Sequence, residues 1–543
     1  MRRSDFLWIV PAGLALGAGL ALVSPGTFLS GWLAFSLLST LGLITLTAGY
    51  RLAGGGKTLA WILALAFLLR VGLGVGAYIF LPVVGYETPP QNAGYLFYDA
   101  FRRDTQAWDL AQSSRSLMAA FDEKLVSDQY GGLLWASSVT YRYLSPDAHR
   151  PLLVTLLAAL FGALGAAFVC AAGKRFGNNK IAQISTLIFA FFPEAILQGA
   201  AQMREPFLMT FIAMAFYGLV EWQASHQASE VSAQPPHSAV QPSKTSEVYI
   251  WLWIGLALGG MLLVSPGFAL LTLVAAVGWL YFSEGSRDVP WQAVAVALGV
   301  FGLAFVAVSL SWDRLVEVQG GGFLGIIGNW ARDTAKWNMD ILKHSSGIVQ
   351  LLFENFPPDL RTPFVAIYGV LQPVLPAVIF EPSVPFWQVL GFARAVGWYL
   401  LLPFLVYAPI STRKISDGPQ KRRWLWLSLV VWAWILIASL RGGADQWDNP
   451  RYRVILLCWQ AMIVAQAWVS LQQGWDRWFI RILEVEAVLV LVFGHWYIFR
   501  YLKIGFNIGI RNTLLIAIGL SLLVVSGDWL IEKWKTGISK RPK

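Results

Sequence analysis

The sequence predicts an all-α, polytopic transmembrane bundle of about fourteen helices with two long extracytoplasmic loops. Three observations predict it. Apolar runs near 20 residues recur along the whole 543-residue chain, the length an α-helix needs to cross a hydrocarbon layer of about 30 Å. Only 13% of residues are charged and 56% are hydrophobic, where a soluble domain carries roughly 25% charged residues. The 27 tryptophans suit a chain with many membrane–water boundaries, which indole rings favour.

The runs fall at about 6–23, 28–49, 59–81, 151–173, 181–201, 205–222, 249–265, 268–283, 291–310, 388–410, 424–440, 454–470, 482–499 and 512–531. The first follows Arg2 and Arg3 without a small-residue cleavage site, and it reads as a retained helix. With the N-terminus inside, Lys174, Arg175, Lys180, Arg413, Lys414, Lys421 to Arg423 and the basic tail from Lys533 all fall inside, as the positive-inside rule requires. Arg500, Lys503 and Arg511 fall outside against that trend. The same rule accounts for the net charge of +10, so nucleic acid is not an expected partner. Residues 82–150 and 311–387 form the two long outer stretches. Within the second, 364–380 is apolar but broken by Pro373 and Pro376, and reads as a re-entrant or interfacial segment. The inner loop 223–248 reads as a flexible linker with two solvated histidines, His226 and His237.

Cys170 and Cys458 lie inside apolar runs and read as core thiols. Gly320 to Gly322 lacks the lysine of a phosphate loop, and His344 stands alone. There is no HExxH, no GxSxG and no cysteine cluster, which removes soluble hydrolase and metalloprotease readings.

Candidate chemistry sits outside the membrane. If 98–120 is helical, Asp104, Trp108 and Ala111 share a face. Asp99 and Asp109 lie five residues to either side of Asp104, about 140° round the helix, so the three acids cannot form one cluster. Asp104 is then expected on the face turned to the membrane; the competing reading is a solvated surface helix whose acids are balanced by Arg102, Arg103 and Arg115. Arg204 and Glu205 stand between two apolar runs at their outward end. Asp104 and Glu205 could share an acceptor hydroxyl or a divalent cation such as magnesium or manganese, or Glu205 could simply mark a helix end; metal dependence stays open. Arg70 lies near the middle of its run, about eleven residues from either end. An isolated charge there costs several kcal/mol, so function or a structural ion pair is expected. Arg451 and Arg453 directly precede an apolar run, and arginine's fork of donors suits phosphate oxygens.

These stretches resemble, in order, the GT-C superfamily of integral-membrane glycosyltransferases, and most nearly its protein-mannosyltransferase-like members, which use polyprenyl-phosphate sugars. L-A-F-L-L-R-V-G-L carries Arg70 into the first outer loop. D-T-Q-A-W-D-L-A resembles the family's first-loop aspartate motif at Asp104, with Trp108 replacing a tyrosine. I-F-A-F-F-P-E-A-I-L-Q-G-A-A-Q-M-R-E-P-F-L resembles the helix, proline, short turn and acid that follow, placing Pro193, Arg204 and Glu205. N-P-R-Y-R-V at 449–454 resembles a late R-Y-R turn, whereas Ser265–Pro266 departs from an Arg-Pro pair.

The resemblance covers about 59–470, leaving 1–58 as two accessory helices and 471–543 as two helices and a basic tail. It implies transfer of a sugar from a polyprenyl-phosphate donor to an acceptor hydroxyl at the outer face of a plasma membrane, with inversion. Asp104 would be general base, and Glu205 would orient the acceptor or hold a cation if one is used. Arg70, Arg204, Arg451 and Arg453 would bind the donor phosphate, with Asp99, Trp108 and Asp109 in support. Membrane lipids surround the site, and the acceptor is a glycan, lipid or protein. A lipid or glycan transporter, or a non-catalytic protein of the same fold, is the alternative.

Overall fold

The computed structural model describes residues 3–122, 131–232, 244–283, 366–442 and 445–539. The expected span 291–310, Gly320 to Gly322, His344, and most of the second outer stretch and of the inner linker lie outside the described residues. The described chain is helical and multi-pass: ten helices are long and apolar enough to cross a membrane, or eleven if one bent pair counts as a span. It divides into two compact units, residues 1–325 with 454–465, and residues 326–453 with 466–543.

In the first unit the helices are α1 (Arg3–Leu22), α2 (Phe28–Leu52), α3 (Lys57–Val84), the single turn α4 (Pro89–Asn92), α5 (Tyr98–Gln112), α6 (Gly132–Leu144), α7 (Leu152–Phe176), α8 (Asn179–Phe191), α9 (Pro193–Gly199), α10 (Glu205–Ser232), α11 (Lys244–Val264) and α12 (Pro266–Ser283). α11 and α12 supply apolar stretches of under 18 residues, Ile250–Val264 and Pro266–Phe282. α7 is the hub, packed by α2, α3, α8, α9 and α10. Its sequence explains this role. Gly162, Gly165 and Gly173 alternate with alanines, and small residues let neighbouring backbones approach closely where no water drives association. A Cβ on Gly165 would lie 2.6 Å from the Phe189 ring and 2.7 Å from Thr210 Oγ1.

The expected single helix over 181–201 is instead α8 and α9, bent by 54° at Phe192–Pro193. Pro193 has no N–H, so the carbonyl of Phe189 loses its intrahelical donor. Arg70 reaches this break. Its Nη1 donates to the carbonyls of Ala66 (2.8 Å) and Ala190 (2.9 Å), and its Nη2 lies 3.5 Å from that of Phe189. The side chain is fully buried and passes between Gly162 and Gly199, where an added Cβ would come within 2.8 and 2.6 Å of it.

Residues 82–122 and 131–150 are not a loose loop. α5 and α6 pack together through Ala107, Leu110, Ala111, Leu134 and Tyr141, onto Val154 of α7. Arg142 closes the open end of α5 by donating to the carbonyls of Leu110, Ala111 and Ser113.

The second unit holds helical residues 366–371, then α13 (Leu375–Phe380), α14 (Pro385–Ser411), α15 (Gly418–Gly442) and α16 (Asp448–Arg453), followed after α17 (Leu457–Gln472) by α18 (Arg477–Leu502) and α19 (Ile510–Ser539). α17 is divided between the units, its first residues through Ala465 belonging to the first. Residues 366–380 form two short helical pieces separated at Gln372–Val374; the six residues of α13 rise about 9 Å, far short of a span. α18 and α19 pair, and Arg477 and Arg481 bind Asp528, with Arg481 also on Glu532.

Candidate active site

α5 buries Ala100, Arg103, Asp104, Ala107, Leu110 and Ala111, residues spaced at three and four that form one helical face. Asp104 thus faces into the protein, on the side of α6 and the turn before α7. It is 2% exposed, which excludes the solvated-helix reading. Asp109 is exposed and Asp99 half-buried, so the three acids do not cluster, as the helical spacing required.

Three donors surround the Asp104 carboxylate. Tyr141 Oη donates to Oδ1 at 2.5 Å, Tyr95 Oη donates to Oδ2 at 2.6 Å, and His149 Nε2 lies 2.7 Å from the same oxygen. The phenols of Tyr95 and Tyr141 are held well above their ordinary range, first by burial and then by the negative charge of Asp104. Both therefore remain protonated donors at any working pH. Trp108 stacks on His149, with centroids 5.2 Å apart and planes 18° apart, and meets Tyr141 edge-on. The face shared by Asp104 and Trp108 is confirmed, but Trp108 supports the histidine.

The turn carrying His149 is fixed from behind. Arg150 is fully buried, binds both oxygens of Asp147 at 2.7 and 2.8 Å and donates to Ser145 Oγ and the Thr27 carbonyl. Ser30 donates to Asp147 at 2.7 Å, so the α1–α2 turn braces the site. Arg150 holds the Asp147 carboxyl well below the usual range. A depressed carboxylate stabilises the fold above its unfolded pKa and loses that contribution as pH falls through the folded value, so this brace persists at neutral pH and fails only in strong acid.

Arg103 donates to the Gln202 carbonyl at 2.9 Å, tying α5 to the turn after α9. Beside it, Tyr78, Tyr95, Thr155, Ala200 and Gln202 line a small pocket of about 20 Å³. Glu205 is fully buried at the start of α10 and Arg204 is 7% exposed, with Arg204 Nε 3.8 Å from Glu205 Oε1. Neither touches Asp104, whose partners are the two tyrosines and the histidine. In the second unit, Arg453 donates to the carbonyls of Val370 and Gln372 and lies over the Trp398 ring, 3.2 Å from its centroid. Arg451 lies 3.3 Å from Asp448. Arg70 and Arg453 thus spend donors on backbone carbonyls.

A divalent cation does not fit the Asp104 site as built. Donors already face both carboxylate oxygens, and among the described residues no three His, Cys, Asp or Glu side chains are grouped to hold a metal.

Sequence reasoning missed Tyr95, Tyr141 and His149. The available signal was the polar run S-P-D-A-H-R-P at 145–151, just before α7. Tyr141→Phe is expected to cost about 1–3 kcal/mol, because Oδ1 loses its donor while buried. Tyr95→Phe is expected to cost less, since Oδ2 keeps His149. Thermal unfolding of both variants in detergent checks the order.

No protein-family model matches the chain, and no curated protein matches it. Among solved structures, the archaeal oligosaccharyltransferase AglB from Archaeoglobus fulgidus, in complex with an inhibitory peptide and a dolichol-phosphate, is similar at 13% identity and a TM-score of 0.34. The apo form of the Archaeoglobus fulgidus oligosaccharyltransferase is similar at 13% identity and a TM-score of 0.39. Each match covers 85% of this chain and 56% of the other, so the chain spans little more than half the length of the structures it matches. A likeness at these scores carries no inference about activity.

Proposed function

We propose that the chain is a membrane glycosyltransferase of GT-C type, with residues 59–470 as its core. It moves a sugar from a polyprenyl-phosphate donor to an acceptor hydroxyl on the extracytoplasmic face of the plasma membrane, with inversion. The observation that supports this reading is the buried Asp104 in its cage of Tyr95, Tyr141 and His149. A carboxylate withdrawn from water is costly to bury, and here three donors offset that cost to hold it in one orientation; it stands where the sequence resemblance places a base.

The reaction needs an acceptor hydroxyl to lose its proton as its oxygen attacks the anomeric carbon, and Asp104 is the group on which that proton transfer depends. The leaving phosphate needs its charge stabilised more than it needs an acid. Arg204 lies in the same unit as Asp104 and takes this role, with Glu205 orienting it. Arg451 and Arg453 are further proposals for the donor phosphate. Arg70 is assigned to the helix break instead, because carbonyls hold its donors.

The test is transfer by the purified protein offered a panel of labelled polyprenyl-phosphate sugars, with a membrane extract as acceptor. Transfer from one donor is the expected result. Donor bound without turnover would favour the transporter or non-catalytic alternative, and absence of any donor binding would end the glycosyltransferase reading. Glu205→Gln is expected to reduce transfer at least tenfold, by freeing Arg204 from its orienting carboxylate; full activity in this variant would remove Glu205 from the site.

A further inference from the structure

We propose that His149 is the catalytic base of the transfer and that Asp104 is a positioning residue acting through it; this rests on the glycosyltransferase reading and names the atom that takes the proton. Asp104 has both oxygens committed to donors and is 2% exposed, so no acceptor hydroxyl reaches it without breaking the cage. His149 is built the other way round. Its Nε2 faces the carboxylate at 2.7 Å, while 28% of its side chain is exposed. A carboxylate only accepts, so Nε2 carries the hydrogen and Nδ1 presents a lone pair. Among the described residues nothing hydrogen-bonds Nδ1. Trp108 stacked on one face and Tyr141 against the edge fix the ring's rotation, and the Arg150–Asp147 brace fixes its backbone.

In the step itself, Nδ1 takes the proton of the acceptor hydroxyl. The hydroxyl oxygen forms the new bond to the anomeric carbon. The bond from that carbon to the phosphate oxygen breaks, its electron pair leaving with the lipid phosphate. The resulting imidazolium is balanced by Asp104, and it releases its proton to solvent through the exposed side of the ring.

Two readouts test this on the full-length protein in detergent. The first needs no activity: carbethoxylation by diethyl pyrocarbonate, located by peptide mass, is expected at His149. Protection of His149 while other histidines of the chain react would overturn the proposal, because Nδ1 would then not be open. The second is transfer. His149→Ala is expected to lose about 10²–10⁴-fold in kcat, with added imidazole restoring part of it. His149→Gln, which fills most of the same space, is expected to lose as much without rescue. Either variant keeping more than a tenth of the wild-type rate, or a folded His149→Ala that imidazole does not restore, would return the base to Asp104. A wild type that transfers sugar from no donor overturns the reading beneath the proposal, and the labelling result tells that failure apart from a closed Nδ1.

Discussion

Asp104→Asn is expected to lower sugar transfer by about 10²–10⁴-fold while leaving the helix bundle folded. The amide keeps the size of the carboxylate and one accepting oxygen, so the packing of Ala107, Leu110, Ala111 and Tyr141 around it has no reason to change. What changes is charge and hydrogen-bond sense. Three donors converge on this side chain, and an asparagine brings two more hydrogens. The Tyr141 hydroxyl can rotate to accept one of them, at a cost of about 1–2 kcal/mol in stability. The negative charge that would balance a proton arriving on His149 is gone. The prediction is therefore a large loss in kcat beside a small fall in the unfolding midpoint. Equal rates in wild type and variant would move the base away from this site altogether. Asp104→Ala is a poorer test, since it orphans both tyrosines and removes packing as well.

The second large effect is on stability. Arg70→Met is expected to destabilise the first unit by about 3 kcal/mol, read as a fall in the thermal midpoint in detergent. Two terms oppose each other. Removing a guanidinium from mid-membrane recovers its desolvation cost, about 2.5–3.5 kcal/mol on insertion scales. Against this, the carbonyls of Ala190 and Phe189 at the α8–α9 break lose donors, and no water lies within the hydrocarbon layer to replace them. The pocket between Gly162 and Gly199 is also shaped to the arginine's stem and methionine leaves part of it empty. The second group wins because the break cannot straighten, Pro193 having no N–H to offer. Arg70→Lys separates this role from phosphate binding. It keeps the charge but not the fork of donors, so it should lower the midpoint without a selective rise in donor KM. A normal midpoint with a raised donor KM would restore Arg70 to the donor site.

The run lengths were enough to place the helices, because a span is a local property: about 20 apolar residues in a row satisfy the bilayer whatever surrounds them. Each expected run that falls among the described residues is helical, and even the break in 181–201 had its cause in plain view at Pro193. The spacing of Asp99, Asp104 and Asp109 also decided correctly that they do not cluster, since helical geometry is fixed by the backbone alone. Local pattern could not say what Asp104 meets. Its partners are 9, 37 and 45 residues away, on a turn before α5, on α6 and on the turn before α7. Amphipathic spacing predicts that one face of α5 is buried; it carries no information about which element covers that face, so Asp104 read equally well as membrane-facing or solvated. The surroundings of Arg70 and Arg453 were illegible for the same reason. A cation in an apolar setting announces only that something must compensate it. Only the tertiary structure decided that the compensation is backbone carbonyls, because carbonyls become available where a helix breaks or a short helix ends against a neighbour, and that depends on contacts far apart in the chain.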